Sequence, residues 1–388
     1  MADGPLGDGA DGARDGDGRD DHDDRGDGSD RGDGDRPTRV AIACQGGGSH
    51  TAFTAGVLRG LLSAWPEGHE LVGISGTSGG AFNALAVWYG LVTADETKAV
   101  DLLDSLWADL AADTPSERVA NDWLVAATRW YNAGFPSASL SPYRNPFSRM
   151  GQERIAEVLE SRIDFEAIPD LCGRGAPKLV VGTVDVNGGV FETFVDGEVT
   201  TDAVLASAAV PELFPAVELH GHAHWDGLFS QNPPVMDLMT VDADRKPDEL
   251  WVIQINPQVR EETPTSLVDI ADRRNELSGN ISLNQELRFI KWINQWIEAG
   301  HLPTESFSRT AVRRIALGSG YGHSTKLDRD PEFIGELMAI GEERAAEFLA
   351  VLADPERKPE GIDPLATGHV ETVTDGTGES PDAGEDRR

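Results

Sequence analysis

The stretch Gly73-Ile74-Ser75-Gly76-Thr77-Ser78-Gly79-Gly80-Ala81-Phe82-Asn83 decides how the rest of the chain is read. Leu71-Val72-Gly73-Ile74 suits a short buried strand, and Ala81–Trp88 suits a helix. Between them Gly76-Thr77-Ser78-Gly79-Gly80 fits the G-x-S-x-G pattern of a nucleophile elbow. A serine at so sharp a turn is held in a strained backbone conformation, and flanking residues without a Cβ let strand and helix close around it. Its hydroxyl then stands above the sheet at the positive end of the following helix. A bare G-x-S-x-G also occurs by chance in loops; the strand before it and the helix after it make Ser78 a candidate nucleophile.

Upstream, Arg39-Val40-Ala41-Ile42-Ala43-Cys44 has the pattern of a buried strand and runs into Gln45-Gly46-Gly47-Gly48-Ser49-His50. Phe53, Val57, Leu58, Leu61 and Leu62 follow at helical spacing. Strand, glycine loop and helix place backbone N–H groups at a helix N-terminus, which is an anion site. The loop has neither the Gly-Lys-Ser/Thr of a P-loop nor a clean G-x-G-x-x-G. Beside a nucleophilic serine it reads better as an oxyanion hole.

Further along, Lys178–Val186 reads as a strand turned into a hairpin by Asn187-Gly188-Gly189. Asp202–Ala209 reads as a small-residue helix, followed by Pro211-Glu212-Leu213-Phe214-Pro215. Val217–Trp225 alternates as one strand ending in Asp226-Gly227. His220, His222 and His224 share a face of it; no carboxylate or cysteine completes an obvious metal site with them, so a solvated face is expected. Leu250–Asn256 and Ala311–Leu317 read as strands, and Ser266–Leu277, Leu283–Ala299 and Pro331–Leu352 as helices. The helical pattern from Ala94 to Tyr131 carries Trp107, Trp123, Trp130 and Tyr131, expected mainly in the core. Strands alternating with helices imply an α/β fold, a mainly parallel central sheet covered by helices on both faces.

The 388 residues carry a formal charge of −34, with only 6 Lys among 33 basic residues. Such a surface lacks the basic footprint of a nucleic-acid binder, so no nucleic-acid partner is expected. It suits a protein kept hydrated in concentrated salt, which predicts a salt-loving source. Residues 1–36 hold 13 Asp and 5 Arg and almost nothing apolar, so a disordered tail is expected there. Its Arg25–Asp27 and Arg31–Asp33 triplets are what chance gives in so biased a segment. A second acidic, disordered tail is expected over 356–388, leaving a folded body at 37–355. Cys44 and Cys172 sit in apolar contexts and are read as buried thiols, not a disulfide. An acidic N-terminus is not a secretory signal, and no apolar run reaches membrane-spanning length, so a cytoplasmic location is expected.

Four stretches, in this order and spacing, resemble the patatin-like phospholipases, lipid acyl hydrolases with a Ser–Asp dyad. They are Gly46-Gly47-Gly48, Gly76–Gly80, Ala206-Ser207-Ala208-Ala209-Val210-Pro211 with Phe214-Pro215, and Asp226-Gly227. The resemblance spans about Val40 to Leu317. It implies a three-layer α/β/α domain, Ser78 as nucleophile, Asp226 as its partner, and Gly46, Gly47, Gly48 and Gly79 as the oxyanion-binding residues. It implies no metal or other cofactor. The expected partner is a lipid or other acyl-ester substrate, with room for peripheral contact with a membrane or lipid granule. The chain departs from the family where the glycine loop continues to His50-Thr51 instead of a basic residue and Gly, and where Leu228 follows Asp226-Gly227. The chemistry agrees: serine at its free pKa needs a base, and a carboxylate at a strand end can take the proton directly.

Other readings stay open at this point. The order Ser78…Asp226…His323 also fits a Ser-Asp-His triad of the α/β-hydrolase kind. The same dyad could serve a polyhydroxyalkanoate depolymerase or an acyl thioesterase. A non-catalytic acyl-binding or scaffolding relative is the alternative of another class.

Overall fold

The computed structural model describes residues 36–132, 141–173, 175–239, 245–304, 306–318 and 320–354. Apart from Arg36, the two expected tails lie outside the described residues. The strands are β1 Thr38–Cys44, β2 His69–Gly76, β3 Lys178–Asp185, β4 Val190–Val195, β5 Val217–Leu219, β6 His222–Asp226, β7 Glu249–Gln254 and β8 Ala311–Ala316. The helices are α1 Ala52–Ser63, α2 Gly79–Thr93, α3 Glu96–Leu110, α4 Pro115–Asn132, α5 Pro146–Arg162, α6 Ile168–Leu171, α7 Thr201–Ser207, α8 Met236–Met239, α9 Leu267–Glu298 and α10 Pro331–Ala353.

One sheet holds all the strands, in the order β5-β6-β3-β2-β1-β7-β8, with β4 on the free edge of β3. β3, β2, β1, β7 and β8 are parallel; β4, β5 and β6 join antiparallel. The expected α/β sheet is therefore present, with an antiparallel end. Alternation along β1 explains the layering. Val40, Ile42 and Cys44 face a core with Phe53, Leu58, Trp88 and Leu103 of α1, α2 and α3 and with Phe348 of α10. Ala41 and Ala43 face the opposite core, with Leu238 of α8 and Leu283, Leu287 and Ile290 of α9. Each fully buried aliphatic or aromatic side chain here contributes about 1.5–3 kcal/mol relative to exposure.

One pairing detail positions the site. The first half of β3 pairs with β2, Ser75↔Val180 and Gly76↔Val181. Past the end of β2, the same edge of β3 is taken by β6, with Thr183↔Asp226. β2 leaves the sheet at the elbow, and β6 enters the vacated edge from the other direction. Their ends, Gly76 and Asp226, thus meet along one edge of β3.

The structure corrects several boundaries. Val217–Trp225 is two strands joined by a turn at His220 (φ 53) and Gly221 (φ 82), whose alternating pattern on both sides hides the break. Ser266–Leu277 and Leu283–Ala299 are one 32-residue helix, α9. The helix runs through Ser278-Gly279-Asn280, and Gly279 packs against Asn232, where an added Cβ would lie 3.1 Å from Asn232 Nδ2. Trp107 is buried as expected, whereas Trp123 is 72% exposed; the side chains of Trp130 and Tyr131 lie outside the described residues. Cys44 is buried and Cys172 half-buried, both free, and burial pushes both thiols up. Among the described residues no helix is long and apolar enough to cross a membrane.

Candidate active site

Ser78 lies between β2 and α2 with φ 56 and ψ −133, a strained conformation for a residue with a Cβ. At the head of a helix a serine usually caps, yet its side chain accepts no bond from the first turn of α2. Instead it lies beside the Asp226 carboxyl, whose pKa it lowers. The strain is held from both sides. Ser78 N donates to Ser207 Oγ at 2.9 Å, and that hydroxyl donates to Gly182 O at 2.7 Å. Ser207 belongs to a stretch quoted above for its resemblance; its role becomes visible only here, as the link between the elbow and β3.

Asp226 ends β6 and is 1% exposed. Its backbone N–H donates to Ala209 O at 3.0 Å, which ties it to the end of α7. Its Oδ1 accepts from Leu228 N at 2.8 Å. The departure at Leu228 is thereby explained, because the contact uses only the backbone and any residue but proline supplies it. Burial pushes the Asp226 carboxyl up to about 7, while the bonds from Leu228 and Ser78 pull the other way. A carboxyl with that pKa, beside a serine hydroxyl, is suited to exchange a proton near neutral pH.

The glycine loop packs directly on the elbow: a Cβ added to Gly46 would sit 2.9 Å from Ser78 Cβ. Gly48 has φ 61, which a residue with a side chain rarely adopts. Gly46 N donates to Asn232 Oδ1 at 2.6 Å, which takes Gly46 out of the expected set of oxyanion donors. The N–H groups of Gly47, Gly48 and Gly79 have no hydrogen-bond partner among the described residues. They are backbone donors left open beside Ser78, two from the loop and one at the N-terminus of α2.

Sequence reasoning missed the polar layer beneath this loop. Gln45 Nε2 donates to Asn280 Oδ1 (3.0 Å) and Asn232 O (3.2 Å), while its Oε1 accepts from Ile255 N and Asn256 N. Thr77 Oγ1 donates to Gln231 O at 2.8 Å and Ser75 Oγ to Pro234 O at 2.6 Å. The segment 231–234, just past Asp226, is thus sewn to both the elbow and the glycine loop. Replacing Asn232 with Ala leaves the Gly46 N–H buried and unsatisfied, a cost of about 1–3 kcal/mol. Urea unfolding of Asn232→Ala is expected to show that loss, with turnover reduced as the loop loosens.

His50 is buried, not solvent-facing, with edge contacts to Tyr321 and Phe333. Its Nε2 lies 2.7 Å from Thr325 Oγ1. The Thr325 hydroxyl already donates to Gly322 O, so the imidazole N–H is the donor. His50 thereby ties the start of α1 to the turn His323–Leu327. Lys326 in that turn pairs with Asp272 of α9 at 2.9 Å. The side chain of His323 itself lies outside the described residues.

Of the His220, His222 and His224 set, His220 and His222 are exposed as expected, and His224 is not. His224 is fully buried and bonds through Nε2 to Glu192 Oε2 at 2.6 Å; His220 reaches Glu192 Oε1, and His222 reaches Asp185 Oδ2. The carboxylates come from the hairpin of β3 and β4, about 30 to 40 positions away in the chain, so local spacing gave no sign of them. The hydrogen bond to Asp185 raises the His222 pKa. Among the described residues no group of three or more His, Cys, Asp or Glu is placed to hold a metal ion.

The model of the family described as patatin-like phospholipase matches residues 42–239, half of the chain, from β1 through the elbow and Asp226 to α8. The chain belongs to this family. Two solved structures are similar at low identity. VipD from Legionella pneumophila is 14% identical over 81% of this chain and 67% of its own, with a TM-score of 0.39. ExoU of Pseudomonas aeruginosa, solved as a heterodimer with SpcU, is 12% identical over 81% of this chain and 52% of its own, with a TM-score of 0.34. The patatin-like chain thus spans about half the length of ExoU. No curated protein matches it.

Proposed function

We propose that this patatin-like protein is a serine acyl hydrolase that cleaves lipid esters with Ser78 as nucleophile and Asp226 as its only side-chain base. The observation that carries the reading is the meeting of the strained elbow serine, at the end of β2, with the buried Asp226, at the end of β6, along one edge of β3. The ionised Asp226 takes the proton from Ser78 Oγ as that oxygen bonds to the ester carbonyl carbon. The carbonyl oxygen becomes an oxyanion, stabilised by the N–H groups of Gly47, Gly48 and Gly79. Collapse breaks the C–O bond of the leaving alcohol, which receives the proton from Asp226 and departs. Water then attacks the acyl-enzyme, giving its proton to Asp226. The second tetrahedral intermediate releases the fatty acid, and the proton returns to Ser78 Oγ. The ester and one water balance the two half-reactions.

The catalytic unit in this reading is the body 37–355. The test is hydrolysis of nitrophenyl esters of graded chain length, beside a phospholipid and a polyester granule, in low and high salt. Turnover that rises with acyl length and extends to the phospholipid is expected. Turnover confined to the polyester or to acyl thioesters would move the substrate class while keeping the dyad. No turnover of any ester, with no labelling by a fluorophosphonate, would make the protein a non-catalytic relative.

A further inference from the structure

The helix α9 has two faces with different jobs. Its inner face braces the site: Asn280 bonds to Gln45, Gly279 packs on Asn232, and Asp272 holds Lys326. Its outer face carries Leu267, Ile270, Leu277, Ile281, Phe289, Trp292 and Trp296, all exposed, from 38% at Leu277 to 85% at Leu267. At about 100° per residue these seven fall within an arc of ~120°, a single stripe running the length of a helix ~48 Å long. Isolated exposed apolar residues are ordinary, but a continuous row of this size marks a docking surface.

The charges in the stripe say what docks there. From Ile270 to Trp296 the other exposed residues of α9 are Arg274, Gln285, Arg288 and Gln295. No exposed carboxylate of the helix interrupts that span, in a chain with 67 acidic residues. Asp272, Glu276 and Glu286 all lie on the inner side, where Asp272 and Glu276 bind Arg260 and Glu286 Oε2 accepts from Val235 N and Met236 N. We infer that the outer face of α9 docks the protein onto an anionic phospholipid bilayer, with Trp292, Trp296 and Phe289 entering the headgroup layer and Arg274 and Arg288 meeting phosphates. Tryptophan beside arginine on an otherwise apolar helix face is the composition that such an interface takes. A second copy of the chain fits the face less well. A two-fold interface sets a surface against itself. An antiparallel copy centred on Ile281 brings Arg274 onto Arg288 with no carboxylate between them. The inference rests on the lipid-hydrolase reading for its purpose, since it would hold the helix that braces the glycine loop against the substrate surface.

The experiment measures binding without turnover. Wild type, Trp292→Gln/Trp296→Gln and Arg274→Gln/Arg288→Gln are sedimented with vesicles of phosphatidylcholine, with and without phosphatidylglycerol, at low ionic strength. Wild type is expected on the mixed vesicles, with binding at least ~10-fold weaker in the tryptophan variant. The arginine variant is expected to lose the preference for phosphatidylglycerol, a change of ~10-fold. Both variants should hydrolyse a soluble short-chain nitrophenyl ester at the wild-type rate. Equal sedimentation of wild type and the tryptophan variant overturns the inference. So does equal binding of wild type to both vesicle types, or a wild-type dimer in analytical ultracentrifugation that the tryptophan variant dissolves. If no ester is hydrolysed by any form, the dyad falls and the binding result still stands or falls by itself.

Discussion

Ser78→Ala is expected to lose turnover by about 10⁴–10⁶-fold, the range seen when a hydrolase loses its nucleophile and keeps its binding and oxyanion groups. The size follows from what is removed. Oγ forms the bond to the acyl carbon, and no other hydroxyl can substitute, because Ser207 Oγ is engaged with Ser78 N and Gly182 O. The backbone at position 78 should survive the change, since it is held by the Ser207 bond and by the first turn of α2, where Ala81 N and Phe82 N donate to Ser78 O. Alanine also keeps the Cβ and with it the strained φ. A second consequence follows for the partner. The Ser78 hydroxyl favours the ionised form of Asp226, so its loss moves that carboxyl further up from about 7. Steady-state rates, fluorophosphonate labelling and thermal unfolding together check this. Retention of more than about a tenth of wild-type turnover, or labelling of the variant, would sink Ser78 as nucleophile.

The parts of this site that could be read from the sequence are those written in consecutive residues. Gly76–Gly80, the glycine run 46–48 and Asp226-Gly227 each carry their geometry locally, as turns between a strand and the element after it. Their meeting in space was not local. It depends on β6 taking over the edge of β3 where β2 stops, an arrangement no periodicity announces. The same holds for the layer under the glycine loop. Gln45 is joined to residues 187 and 235 positions away, and glutamine and asparagine next to apolar strands read as ordinary loop polarity. Had the donors been sought, Gln45 at the end of a buried strand was the one signal, since a buried side-chain amide must bond. Gly46 illustrates the opposite error. A glycine run next to a nucleophile invites every amide into the oxyanion hole, yet the first amide is consumed in holding the loop in place.

Asp226→Asn is expected to cost about 10³–10⁴-fold in kcat, with its shape kept and its basicity gone. Asparagine can still accept from Leu228 N, and its burial is then no penalty, because nothing there has to ionise. The pH dependence makes the test specific. Burial disfavours the charged carboxylate, so its pKa lies near 7 instead of near 4, and the base form is lost as pH falls through 7. Wild-type kcat/KM should therefore be half-maximal near pH 7, flat above it, and fall about tenfold per pH unit below. The residual activity of the asparagine variant should lack that limb. Stability runs with the opposite sign. The folded protein binds more protons than the unfolded chain between about pH 4 and 7, so wild type loses stability as pH rises across that window, and the loss is complete above 7. The variant is spared it and should unfold no more easily than wild type at pH 8. An inactive variant that is at least as stable as its parent separates a lost base from a lost fold. If Asp226→Asn keeps most of its turnover and His323→Ala loses it, the base is an imidazole. The raised Asp226 pKa would then belong to a carboxyl that orients the site without taking the proton.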